Sequence, residues 1–126
     1  MPLIQITSLP FETPPDIPSV IKGISTDFAK NASVGIEHVT VTWTFFPPGH
    51  YVVGGVSAQY QPMQSHPVLV DLLAPDFNSA DQVEKMLNAI SVSIAKRSKL
   101  PIENIFINYR QAHAGMVFDS GQIVQW

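Results

Sequence analysis

The chain has no cysteine, which excludes disulfides and thiol chemistry and leaves the redox compartment open. Charge is sparse: seven Lys and Arg stand against ten Asp and Glu, only 13% of 126 residues, for a net charge of −3. With no basic block there is no electrostatic footprint for nucleic acid. No apolar run reaches the length of a membrane span, so no membrane partner is expected. The N-terminus has neither the basic start nor the apolar centre of a signal peptide, which makes a cytoplasmic address the expectation. Four histidines, His38, His50, His66 and His113, fall at no metal-ligand spacing. Ser, His and Asp fall at no triad spacing. Asn31-Ala32-Ser33 spells a glycosylation sequon that reads as chance without a secretory signal.

What the chain does have is apolar residues, 45% of the total. So little charge on one small domain spanning 1–126 points to further buried area, most simply an oligomer interface. The order of elements reads strand, helix, strand, and then the same again. Residues 3–7 form a short strand, and 10–15 a proline-rich connection. A helix follows with Asp16 as N-cap and Pro18 in its first turn, and Ile17, Val20, Ile21, Ile24 and Phe28 share one face. Residues 39–46 alternate, with Val39, Val41, Trp43 and Phe45 on one side and Thr40, Thr42, Thr44 and Phe46 on the other.

In the second half, 68–73 is an apolar strand and Ser79 with Gln82 makes a capping box. Val83, Met86, Leu87, Ile90 and Ile94 form the helix stripe. Lys96, Arg97 and Lys99 suit the negative end of the helix dipole. Residues 104–111 form the closing strand, Asp119-Ser120-Gly121 a turn, and 123–126 an apolar tail expected to dock on a neighbouring subunit.

The halves, about 1–60 and 66–126, superpose at an offset of 66. Val39, Val41 and Trp43 match Ile105, Ile107 and Tyr109; Gly49 matches Gly115, and Gly55 matches Gly121. Pro2 falls close to Pro67. The expected fold class is therefore α+β: two tandem βαβ units in a four-stranded sheet with both helices on one face. The same order suits a ferredoxin-like dimeric barrel. The glycines after each second strand, together with Pro2, favour the duplicated unit.

Pro2 carries the chemistry. With Met1 removed it presents a secondary amine, whose titration near ~8 falls on burial in an apolar pocket. It can then act as a general base at neutral pH. Read alone, it is a strand beginning with proline.

The segments Val39-Thr40-Val41-Thr42-Trp43-Thr44 and Gly49-His50-Tyr51-Val52-Val53-Gly54-Gly55 resemble 4-oxalocrotonate tautomerase. Ile105-Phe106-Ile107-Asn108-Tyr109 resembles the matching strand of macrophage migration inhibitory factor. The resemblance to this tautomerase superfamily implies a homotrimer with an amino-terminal proline at each subunit boundary. It also implies keto–enol tautomerisation of a small 2-oxo acid or enol, aromatic ones included, without metal or organic cofactor. Pro2 would shuttle the proton. Asn108 and Phe106 would line the pocket from a neighbour, and Tyr51 would keep it apolar. Arg110, on the face of Phe106 and Asn108, would take a carboxylate or simply end the strand in solvent.

The departures concern charge. Thr40 stands where the resemblance places a substrate-binding arginine, Val34 where it places a lysine, and 74–78 hold no arginine pair. A dicarboxylate or haloacid substrate is therefore not expected. A second function follows from the same gap: a non-catalytic tautomerase-fold binding or interaction protein.

Overall fold

The computed structural model describes all 126 residues. Its elements follow the doubled pattern. Strand β1 (Leu3–Ser8) leads to helix α1 (Ile17–Asn31), a 3-10 turn (Ile36–His38), strand β2 (Thr40–Phe45) and a hairpin of β3 (Val52–Val53) and β4 (Val56–Ser57). The second unit runs β5 (Val68–Pro75), α2 (Ala80–Ser98), a 3-10 turn (Ile102–Asn104), β6 (Ile105–Ala112) and a hairpin of β7 (Phe118–Asp119) and β8 (Gln122–Ile123).

The four long strands form one sheet in the order β2-β1-β5-β6. Each unit pairs its own strands in parallel, and the units join through antiparallel β1 and β5. Strand alternation sends Ile4, Ile6, Val68, Val70 and Leu72 to the helix side. There they meet Val20, Ile24 and Phe28 of α1 and Met86, Ile90 and Ile94 of α2 in a single core. Trp43 enters that core with its indole N–H satisfied by Ser8 Oγ at 3.1 Å, so its polar atom costs nothing on burial.

The duplication reaches the hydrogen bonds. Gly49 N–H donates to Ala58 O and Gly115 N–H to Val124 O; His50 N–H donates to Pro47 O and Met116 N–H to His113 O. Ser33 and Lys99, which end the two helices, share a left-handed backbone at φ 55° and 58°.

Three local details refine the pattern. Leu3 pairs with Thr40 and Leu69 with Phe106, so Val68 is the counterpart of Pro2, and Pro67 stands in the place of Met1. The capping box at α2 is half formed. Ser79 Oγ accepts from Gln82 N–H at 3.1 Å, but the Gln82 amide reaches across to donate to Ala32 O at 2.6 Å. The tail pairs within its own chain, through β7 and β8, and Trp126 Nε1 donates to Asp76 Oδ1 at 2.7 Å.

The face of the sheet away from the helices is uncovered. Gln5, Thr7, Thr42, Thr44, Phe106 and Asn108 line a shallow groove of about 390 Å³ there, and Phe106 is 56% exposed.

Candidate active site

Pro2 is buried at the amino end of a central strand, where its carbonyl accepts the Thr40 N–H at 3.0 Å. Two clefts meet at it. The first, of about 560 Å³, runs between Pro2, the turn carrying Glu37 and His38, and the tip of the second hairpin, Val117 to Ser120. The second, of about 440 Å³, lies under the end of the helix layer, walled by Val34, Pro75, Phe77 and Met86 with Asn78 and Gln82 among them. Met1, Pro2 and His38 border both.

Local sequence explains the position. Parallel pairing of β1 with β2 sets Leu3 beside Thr40, which brings the residues before Thr40 alongside Pro2. The loop after β5 then closes the side wall, its Asn78 Nδ2 donating to Pro75 O at 2.8 Å.

The amine at this site sits in an environment that disfavours charge. Burial pushes the Met1 ammonium below its ordinary range, and the Asp119 carboxylate partly offsets this by favouring the charged form. While Met1 is attached, the Pro2 nitrogen is an amide with no basicity. Apolar walls at Val34, Phe77 and Met86 would desolvate a proline amine exposed by removal of Met1.

The other residues singled out in the sequence lie elsewhere in the chain. Tyr51 donates to Pro67 O at 2.8 Å and packs on Phe46 and His66, at ring separations of 5.1 and 5.2 Å. Burial raises its phenol pKa. Phe106 and Asn108 line the open-face groove. Arg110 is bound to Asp71 through Nε at 2.9 Å and through Nη2. His113 meets Asp76 at 3.1 Å.

Conversely, Glu37, His38 and Asn78 beside Pro2 carry no motif, and the capping box of Gln82 and the turn of Asp119 do not point to a site. Only the parallel register next to Thr40 marks the first two. The 66-residue offset marks the hairpin, since Val117 is the counterpart of Tyr51.

No protein-family model matches the sequence, and no curated protein matches it. Solved structures do. A native fused 4-OT superposes with a TM-score of 0.80 at 18% identity, covering 96% of this chain and 94% of that one. A fused 4-OT described as an asymmetric trimer gives 0.80 at 14% identity, with 96% and 94% covered. A member of the cis-3-chloroacrylic acid dehalogenase family gives 0.79 at 16% identity, with 97% and 82% covered. The likeness spans both βαβ units, so the chain has the tautomerase-superfamily fold in its fused, duplicated form.

Proposed function

We propose that the protein is a cofactor-independent keto–enol tautomerase in which Pro2, freed by removal of Met1, is the general base for a small 2-oxo acid or enol. The observation that carries this reading is the burial of Pro2 where two clefts meet, against an apolar wall that favours a neutral amine. In ketonisation the Pro2 nitrogen takes the enol proton, leaving an enolate. The enolate oxygen pair then closes the carbonyl as the C=C pair takes that proton from the ammonium to form the new C–H bond. The base is restored, and no other reagent is consumed.

The same reading makes the assembly a homotrimer. The uncovered sheet face would meet neighbouring copies, with Phe106 and Asn108 presented to a neighbour's cleft. Fused 4-OT structures described as trimers support this arrangement.

Mass spectrometry of untagged protein establishes whether Met1 is absent. Ketonisation of phenylenolpyruvate is then followed for the wild type and for Pro2→Ala. Loss of at least ~100-fold in kcat/KM is expected for a general base. Equal rates would leave the scaffold as a binding protein, the reading that the missing cations favour.

A further inference from the structure

We infer that the Pro2 cleft prefers an uncharged enolisable carbonyl compound to a carboxylate, an inference that rests on the catalytic reading above and narrows its substrate from the 2-oxo acid to the neutral enol.

The placement of charge argues for this first. Of the seven Lys and Arg, six lie in or at the end of the two helices, and none lines either cleft at Pro2. Arg97 is spent on Asp27, with Nε to Oδ2 at 2.8 Å. The seventh, Arg110, lies on β6, where Asp71 accepts from both its Nε and its Nη2. A neighbouring copy docking its open sheet face would therefore bring a cation that is already neutralised. The charges that do border the cleft are Glu37 and Asp119. His38 is the one side chain there able to carry positive charge, and its Nε2 faces Glu37 Oε1 at 3.5 Å.

The hydrogen-bonding inventory points the same way. A carboxylate only accepts, so it needs donors in the site. The two amides that border the inner cleft have committed an N–H elsewhere: Asn78 to Pro75 O and Gln82 to Ala32 O. Their amide oxygens receive no side-chain donor. An enol hydroxyl, a donor, suits these acceptors and the two carboxylates. A carboxylate entering the same space would lose its water with no cation to replace it, and would find as donors only the second N–H of each amide and the hydroxyls of Ser33, Thr40 and Ser120.

The test uses the Met1-free protein and two probes that differ in one group, phenylenolpyruvate and the enol of its methyl ester. We expect kcat/KM for the ester to exceed that for the anion by about tenfold or more, with both lost in Pro2→Ala. In Glu37→Gln/Asp119→Asn the anion-to-ester ratio should rise about threefold per charge at low salt, and added salt should shrink that gain. Equal or better turnover of the anion, still dependent on Pro2, would overturn the specificity while leaving the general base in place. An unchanged ratio in the double variant would overturn the role of the two acids. Turnover that survives Pro2→Ala, or turnover of neither probe, counts against the catalytic reading itself.

Discussion

Tyr51 seals one end of the duplicated chain: its hydroxyl donates to the carbonyl of Pro67 at 2.8 Å, and its ring packs on His66. His66 is itself buried, with Nε2 2.7 Å from Val56 O and Nδ1 3.1 Å from Ser65 Oγ. Pro67 stands where Met1 stands in the first unit, and Val117 stands where Tyr51 does. The mouth that aromatic rings close in the second unit is thus left open in the first. Packing differs between the two halves even though their backbones repeat.

This asymmetry predicts that Val117→Tyr closes the Pro2 cleft. The added ring and hydroxyl fill space at the hairpin tip, so kcat/KM should fall roughly tenfold or more. A ~1 Å displacement of a substrate from its reactive geometry costs about that much or beyond. Thermal unfolding should change little, because the residue is at a cleft surface. Undiminished turnover would show that substrate does not pass this hairpin.

The companion variant, Tyr51→Phe, keeps the ring and removes only the donor to Pro67 O. One net hydrogen bond is worth about 1 kcal/mol, which corresponds to a fall in Tm of about 4 °C for a domain of this size. Activity should persist. Loss of activity with unchanged Tm would instead place Tyr51 in a neighbouring subunit's site.

The pH dependence follows from the charges facing the amine. In the proposed role Pro2 works in its neutral form, so kcat/KM should rise with pH through the amine pKa. Glu37 and Asp119 favour the ammonium, as Asp119 does for the Met1 amine, while His38 opposes it whenever it is protonated. Asp119→Asn should therefore move the ascending limb to lower pH. A pH–rate profile at low salt reads this directly, and a limb that stays put or moves up would remove Asp119 from the field at Pro2.

The sequence carried the architecture well because the fold is written twice. The 66-residue offset aligned the glycines, the helix stripes and both second strands, and Asp16 and Ser79 marked the helix starts that the structure has. What stayed hidden depends on contacts between units. Gln82 gives its amide to Ala32 O, 50 residues away, in place of its own helix end. No local pattern shows such a competitor. The place of Pro67 opposite Met1, by contrast, is already contained in the 66-residue offset, and the strand register agrees with it. Asp119 comes to Pro2 from the β7–β8 hairpin and Phe77 from the loop after β5, both in the second unit, so their site residence is a product of topology and not of spacing.

The carboxy-terminal tail is anchored beside the cleft by Asp76, which accepts from Trp126 Nε1 at 2.7 Å and meets His113 Nδ1 at 3.1 Å. These bonds hold the Asp76 carboxyl below its ordinary range, the Trp126 contribution being the largest. Phe77, next in the chain, packs edge-on to Trp126 at 6.0 Å and forms part of the wall near Pro2. Trp126→Phe keeps an aromatic and deletes the donor. Carboxyl NMR should then show the Asp76 pKa moving up toward the usual value. Hydrogen exchange at 76–78 should quicken, and KM should rise more than kcat falls. Unaltered exchange there would mean the loop holds its shape without the tail.

The two helices are joined by a cross-link whose pH dependence has a definite sign. Asp27 on α1 accepts from Arg97 Nε at 2.8 Å, Arg97 Nη2 at 3.0 Å and Ser93 Oγ at 2.7 Å, all from α2. The Arg97 hydrogen bond is the largest cause of a lowered Asp27 pKa, with burial opposing it. Because the folded-state pKa is depressed, the stabilisation is complete above the unfolded carboxylate value near ~4 and is lost as pH falls through the folded pKa. Asp27→Asn should therefore lower stability at pH 7 by about 1 kcal/mol, a figure reduced for the solvent that still reaches the pair. It should also flatten the decline below pH ~4, so that the two urea midpoints converge in acid. Arg97→Lys, which keeps the charge and gives up the forked pair of bonds, should fall between them at neutral pH. Parallel acid limbs for wild type and Asp27→Asn would show that other carboxylates govern the acid transition.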